Sequence, residues 1–347
     1  MKILQKIAIY ILLLGGLASC DDCFLFEDME DCVIKNNLRF VYDMNLKWAD
    51  AFASEVKSVR VYVFDEQEIL VKTYMENGPQ VDEAGFEIPV DLPEGRYRFV
   101  AWCGIDNRNV ESQSFFAPDY EDLKYKDLYC KLLTETNSLH ETISDRHLQF
   151  MYYGELVADI KTTGDSHATY YHTIHLVKDT NHIRVQLVQL SGEPVYADDF
   201  VYSIEDANGL LDYSNLPVGD TMITYYPWQI QNAEVGMETK GNMSTSLSAI
   251  ADLDVSRMIA DRKRGMKLSI RNGKTNELIA SIPIIDYALL AKDYYETAYG
   301  HPMSNQEFLD REDEYSLTFF LDDDMKWISS FIYINSWRVV LQEHDFE

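Results

Sequence analysis

Five cysteines and eight histidines are the most reactive side chains in the 347-residue sequence, and their neighbours decide what each can do. Cys20 closes the run Leu17-Ala18-Ser19-Cys20. It follows an apolar stretch from Ile7 to Leu17 that only Gly15 and Gly16 interrupt, with Lys2 and Lys6 ahead of it. A positive start, a short apolar run and small residues before a cut describe a signal peptide. Small residues before a cysteine also resemble the bacterial lipobox, in which the thiol takes a diacylglyceryl group and the new amino terminus is acylated. Cys20 then becomes the first mature residue. Each buried CH₂ contributes about 0.8 kcal/mol, so several acyl chains on one residue make a durable anchor. An ordinary signal peptide with a coincidental cysteine is the alternative.

Cys23, Cys32, Cys103 and Cys130 remain. Export permits disulfides, and four cysteines allow three pairings that sequence alone does not separate. None forms a C-x-x-C pair, which argues against a metal site. Cys103 lies in phase with Tyr97, Phe99 and Ala101, so it reads equally as a buried structural thiol or a bridged one. His172 and His175 share a face only on a helix; their neighbours read as strand, which points them to opposite faces. Asp322-Asp323-Asp324 lacks the spacing of a calcium loop and reads as a solvated turn before a strand. With no G-x-S-x-G, phosphate loop or H-E-x-x-H, no catalytic residue, cofactor or metal is expected.

The chain carries 58 acidic against 30 basic residues, a formal charge of −28; a leader of residues 1–19 takes Lys2 and Lys6 with it and leaves −30 on 328 residues. Such a field disfavours nucleic acid and anionic headgroups as partners. A small-molecule substrate is not expected either. No later stretch approaches the roughly 20 apolar residues of a membrane span. Asp21, Asp22, Glu27, Asp28, Glu30 and Asp31 follow Cys20 at once, either as a solvated tether repelled by the membrane or as a surface-export signal, which they resemble.

The elements that must carry these residues are mostly strands. Val59, Val61 and Val63 alternate with Arg60, Tyr62 and Phe64, and Ile183, Val185 and Leu187 with Arg184, Gln186 and Val188. Further strands are expected over Leu38–Asp43, Phe86–Asp91, Phe150–Ile160, Tyr170–Lys178, Met266–Arg271, Glu277–Pro283, Tyr315–Leu321 and Trp327–Gln342. Short strands separated by turn residues predict β-sandwiches rather than a parallel α/β sheet. Leu92-Pro93-Glu94-Gly95 and Leu216-Pro217-Val218-Gly219 each precede an aromatic run, an echo that agrees with two halves. The polar stretch Lys161–His167 is the expected boundary. Tyr287, Leu290 and Tyr294 recur at helical spacing between Asp286 and Gly300, and Ser304 with Glu307 forms a capping box for a helix from Asn305 to about Arg311.

Six blocks in order, Cys32–Phe52, Val59–Asp65, Asp91–Gly104, Asp179–Leu187, Met303–Glu314 and Ile332–Gln342, are similar to the FimB-type fimbrillin-anchor lipoproteins at the base of type V pili in the Bacteroides group. The resemblance implies an all-β fold of two transthyretin-like β-sandwich domains with a short helical insertion in the second. It also implies an outer-membrane lipid tether and a role in holding a fimbria and limiting its length, with fimbrillin subunits as partners. The expected organisation is a signal peptide at 1–19, an acidic tether at 20–32, and sandwiches at 33–165 and 166–347. No Arg or Lys falls between Cys20 and Val33, which fits a tether spared from trypsin-like cleavage and a first strand that stays in place; Lys35 and Arg39 come later, in the strand itself. Trp337, Val339 and Leu341 fall on one face of the last strand and are the expected contact with the pilin; the strand reads either as a donor to the neighbour or as a closing strand of its own sandwich. Asp220-Thr221-Met222 resembles an O-glycan acceptor. Two other functions stay open: a lipidated surface binding module or a tip or accessory fimbrial adhesin that recognises glycan or host protein, for which 23 Tyr and 5 Trp supply stacking platforms, and a surface hydrolase.

Overall fold

The structure, a computed structural model, describes residues 34–105, 113–163, 168–239, 242–262, 265–329, 331–335 and 337–340. Strands dominate it, and the few helices are short. The first strand, Lys35–Val41, turns Leu38 and Phe40 inward. It is an interior strand of a three-stranded sheet: Thr169–His175 lies parallel on one side and Glu87–Pro89 antiparallel on the other. Facing it is a five-stranded sheet in the order Val177–Lys178, Tyr152–Ile160, Gly95–Cys103, Ser58–Phe64, Leu70–Asn77. Leu38, Phe40, Val59, Val61, Val63, Phe99 and Ala101 form the core between the two layers.

The five-stranded sheet is covered on both faces. All seven residues of Ser58–Phe64 are buried, because Tyr62, Phe64, Val100 and Trp102 pack beneath Phe115, Leu123, Tyr125, Leu128, Leu148 and Met151. The covering segment comes from far along the chain, so nothing local announces it.

The second sandwich pairs two six-stranded sheets. One runs Gln229–Thr239, Asn242–Val255, Asn181–Gln189, Glu314–Leu321, Phe331–Ile334, Trp337–Val340; the other runs Leu278–Pro283, Lys267–Asn272, Phe200–Asp206, Ile223–Tyr225, Thr142–Ser144, Glu135–Thr136. Ile183, Val185, Leu187, Leu253, Leu317 and Phe319 meet Tyr202, Ile204, Leu268, Ile270 and Ile282 in its core. The parallel pairing of Asn181–Gln189 with Glu314–Leu321 needs a long crossover, and the helices between Ile284 and Arg311 lie within it.

The sheets do not divide at 165. Thr169–His175 belongs with the first strand, and Val177–Lys178 with Tyr152–Ile160. In the other direction, Thr142–Ser144 pairs with Ile223–Tyr225, and Tyr129–Leu132 with Leu210–Asp212. Polar runs mark turns inside a sandwich as readily as linkers between two, and strands pair across Lys161–His167 in both directions. The expected strand Tyr170–Lys178 also breaks. Leu176, fully buried, donates its N–H to the Val41 carbonyl at 2.8 Å and carries the chain from one sheet to the other. Gly154 lies under that corner, where a Cβ would come within 2.6 Å of the His175 carbonyl oxygen.

The helix expected over 286–300 is two helices, Ile284–Leu290 and Lys292–Tyr299. Between them the Ala291 N–H reaches the Ala288 carbonyl, a tightened turn. Gly300, at φ 72, ends the second. Asn305–Arg311 forms as expected, with the Ser304 hydroxyl accepting the Glu307 N–H at 3.1 Å.

Candidate functional site

The strand Glu314–Leu321 points Tyr315, Leu317, Phe319 and Leu321 inward and leads to the carboxyl-terminal edge. Asp322 closes the following turn: its Oδ1 accepts the N–H groups of Asp324, at 3.0 Å, and Lys326, at 2.9 Å. The triple aspartate is therefore a turn built on one side chain, and among the described residues no group of three or more His, Cys, Asp or Glu is placed to hold a metal ion. The chain then bridges back at Leu321↔Trp327.

The single strand expected over Trp327–Gln342 is instead a hairpin. Phe331–Ile334 and Trp337–Val340 pair antiparallel, Ile334 opposite Trp337, around a turn in which Asn335 adopts φ 53. Asn tolerates this left-handed conformation better than most residues. Among the described residues Trp337–Val340 is the last strand of its sheet. Val339 is 5% exposed and packs in the chain's own core with Ile332 and Ile334, while Arg338 is exposed and its carbonyl accepts the Tyr294 hydroxyl at 3.4 Å. The Trp337 side chain and the whole of Leu341 lie outside the described residues, as do Cys20, Cys23 and Cys32.

A polar groove of about 660 Å³ lies beside the hairpin turn, lined by His182, Arg184, Tyr295, Glu312, Ser316 and Asn335 among others. Burial pushes the Glu312 carboxyl up to about 7, and Asp313 and Glu314 add to the effect. Hydrogen bonds to Asp252 and Asp254 push His182 up to about 9. Burial alone would raise Asp252, yet hydrogen bonds from His182 and Arg184 hold it below the usual carboxylate range. Asp254 gathers His147 Nδ1 at 2.6 Å, the Leu148 N–H at 2.8 Å, His182 Nδ1 at 2.8 Å and Trp228 Nε1 at 3.2 Å. The result is a satisfied ionic network that ties the segment 147–148 to the second sandwich.

The remaining candidates separate. His172 approaches Asn36 Oδ1 at 3.1 Å and His175 approaches Asp43 Oδ1 at 3.3 Å, two unrelated partners. Cys103 and Cys130 are both buried free thiols, and burial pushes both up. Asp220-Thr221-Met222 is exposed immediately before the strand Ile223–Tyr225. Asn335 and Arg311 were not singled out from sequence. An Asn between two apolar runs two residues apart was the available hairpin signal; nothing local marks Arg311.

A family model for the fimbrillin-A associated anchor proteins Mfa1 and Mfa2 matches residues 29–343. No curated protein matches the chain. Among solved structures, a candidate adhesin from Bacteroides thetaiotaomicron is 34% identical, with a TM-score of 0.76 over 88% of this chain and 97% of its own. A candidate polysaccharide-binding protein from the same organism is 27% identical, with a TM-score of 0.73 over 90% of this chain and 99% of its own. The fimbrial anchor protein Mfa2 from Porphyromonas gingivalis, at 14% identity, shares the fold with a TM-score of 0.61 over 90% of this chain and 100% of its own.

Proposed function

The chain belongs to the family of fimbrillin-A associated anchor proteins, and from that premise we propose that it is the lipid-tethered base of a fimbria. Membership gives it a fimbrial accessory role at the cell surface, in a family of anchors rather than enzymes. In the reading offered here, acylated Cys20 holds the chain in the outer membrane, the acidic residues up to Asp31 space it from the surface, and fimbrillin subunits couple to its carboxyl-terminal edge.

The observation that carries this reading is the place of the first strand. Lys35–Val41 is hydrogen-bonded on both sides, with Leu38 and Phe40 in the core. Arg39 is held by Glu87 at 2.6 Å and lies 3.4 Å over the Tyr171 ring. Emptying one such large apolar site costs about 3–5 kcal/mol, so a tether that enters the fold here is firmly seated. A subunit whose groove is filled by its own first strand accepts no further strand on that side, which ends the fibre and limits its length. Growth is then left to the opposite end. There Trp337–Val340, at the end of its sheet among the described residues, is the surface that meets the first fimbrillin subunit, by strand addition, while Val339 supports the strand from within. Of Trp337, Val339 and Leu341, Val339 thus serves as an internal prop rather than a plug for the neighbour.

Metabolic labelling with a palmitate analogue tests the tether. Wild type takes the label and Cys20→Ala does not; undiminished label in the variant contradicts the proposal.

A second reading, a surface module that binds glycan, is favoured by a cleft of about 720 Å³ lined by Tyr129, Lys131, Asp212, Tyr213 and Thr221 among others, and by the relative described as polysaccharide-binding. Glycan-array binding lost in Tyr213→Ala would support it, and an array without binding would remove it.

A further inference from the structure

The carboxyl-terminal hairpin meets its sheet along a short ladder, with residue pairs at Leu317↔Ile334 and Thr318↔Tyr333. Asn335 extends that contact by other means. Its backbone N–H donates to the Ser316 carbonyl at 2.8 Å, and its side-chain Oδ1 accepts the Ser316 N–H at 2.8 Å. The side-chain amide therefore supplies the acceptor a strand residue would have supplied, at a point where the backbone has already turned away at φ 53. Its Nδ2 donates to Glu312 Oε2 at 3.2 Å, a second residue lining the groove. Packing of Ile332, Ile334 and Val339 gives the hairpin affinity for the core, but apolar contact is non-directional and does not set register.

We infer that Asn335 is the latch that positions the carboxyl-terminal hairpin on the strand Glu314–Leu321, with Glu312 as its second holding point. The inference concerns the hairpin itself and does not depend on the coupling proposed above. Two properties support it. A hairpin that must stay docked yet lies at a sheet edge benefits from a contact specific to one register. The latch also bears on a titrating group: the Glu312 carboxyl, at about 7, has as neighbours Asp313 and Glu314 of its own segment, Tyr295 of the helix, whose hydroxyl donates to its Oε2 at 3.0 Å, Tyr42 and Tyr315, and His182 and Arg184 in the same groove. Lifting the hairpin hydrates this carboxyl and lets it ionise, so the docked state weakens as pH rises through about 7.

Hydrogen exchange over residues 331–340 of the full mature chain, corrected for intrinsic rates at pH 6 and 8, tests the latch. Asn335→Gly keeps the left-handed turn and removes the side chain; it should exchange about tenfold faster there, with Asn181–Gln189 unchanged. Asn335→Asp keeps an acceptor for Ser316 but lacks the donor and adds charge beside Glu312, so its loss should be larger at pH 8 than at pH 6. Glu312→Gln should flatten the pH dependence. Wild-type protection in Asn335→Gly, or faster exchange spread evenly over the chain, overturns the latch. Equal behaviour of the Asp and Gly variants at both pH values overturns the part assigned to Glu312.

Discussion

The guanidinium of Arg311 lies 3.6 Å over the indole ring of Trp48 and donates to the carbonyl oxygens of Asp43, at 3.0 Å, and Asn45, at 3.3 Å. Trp48 stands at φ 52, a conformation that is costly for a bulky side chain and persists only where the surroundings enforce it. His301 packs against the same ring, with centroids 4.6 Å apart. A helix of the second sandwich thus grips the loop that leaves the first strand.

Arg311→Ala should therefore lower stability by about 2–3 kcal/mol, since it removes charge-assisted hydrogen bonds and a stacked cation from a buried position. Arg311→Lys should recover little, because an ammonium lacks the planar fork that stacks and donates at once. Urea unfolding of the mature chain measures both; a midpoint for Arg311→Ala equal to wild type would show that the grip is incidental.

His182 makes stability fall at alkaline pH. Its pKa rises from 6.5 in the unfolded chain to about 9 in the fold, through its bonds to Asp252 and Asp254. Its contribution is therefore full below about 6.5 and lost as pH climbs through 9. Allowing for solvent screening of a partly exposed ring, the size is about 1–2 kcal/mol. Thermal melts between pH 6 and 10 should show this decline in wild type and a shallower one in His182→Gln. The same slope in both would assign the effect elsewhere.

What the sequence made legible was local. The Ser304 cap and its Glu307 lie three residues apart, and the alternation in Lys35–Val41 and Glu314–Leu321 needs only the strand itself. The burial of both faces of Ser58–Phe64 depends on Phe115 to Met151, and the exchange of strands across 165 depends on which sheet Leu176 turns toward; no short-range pattern encodes either. The network of His182, Asp252 and Asp254 joins residues about seventy positions apart, with no spacing to betray it. The misread final strand is different in kind: Ile334-Asn335-Ser336-Trp337 carried a turn signal inside an apolar run, and the run outweighed it.

Removing Ser336–Glu347 should lower the melting temperature as well as pilus retention, because Ile332 and Ile334 lose the strand that covers them and Val339 leaves the core. Arg338→Glu separates the two effects. Its side chain is exposed, so fimbria retention, measured at a temperature where the variant's own melt shows it folded, should drop; normal retention in Arg338→Glu would argue that the edge is not the coupling surface.

Thr221 should carry an O-glycan, since its triplet resembles an acceptor and stands exposed before a strand. Intact-mass measurement of exported protein should show added hexose-type mass that disappears in Thr221→Ala. A mass of polypeptide and lipid alone removes the site.

The base-anchor account rests most directly on where fimbriae end up. In cells producing wild-type chain, fimbriae counted by electron microscopy should remain attached. In cells producing Cys20→Ala at equal level, they should collect in the medium and be longer. Fimbriae that stay on the cells at wild-type number and length when Cys20 is replaced would contradict it.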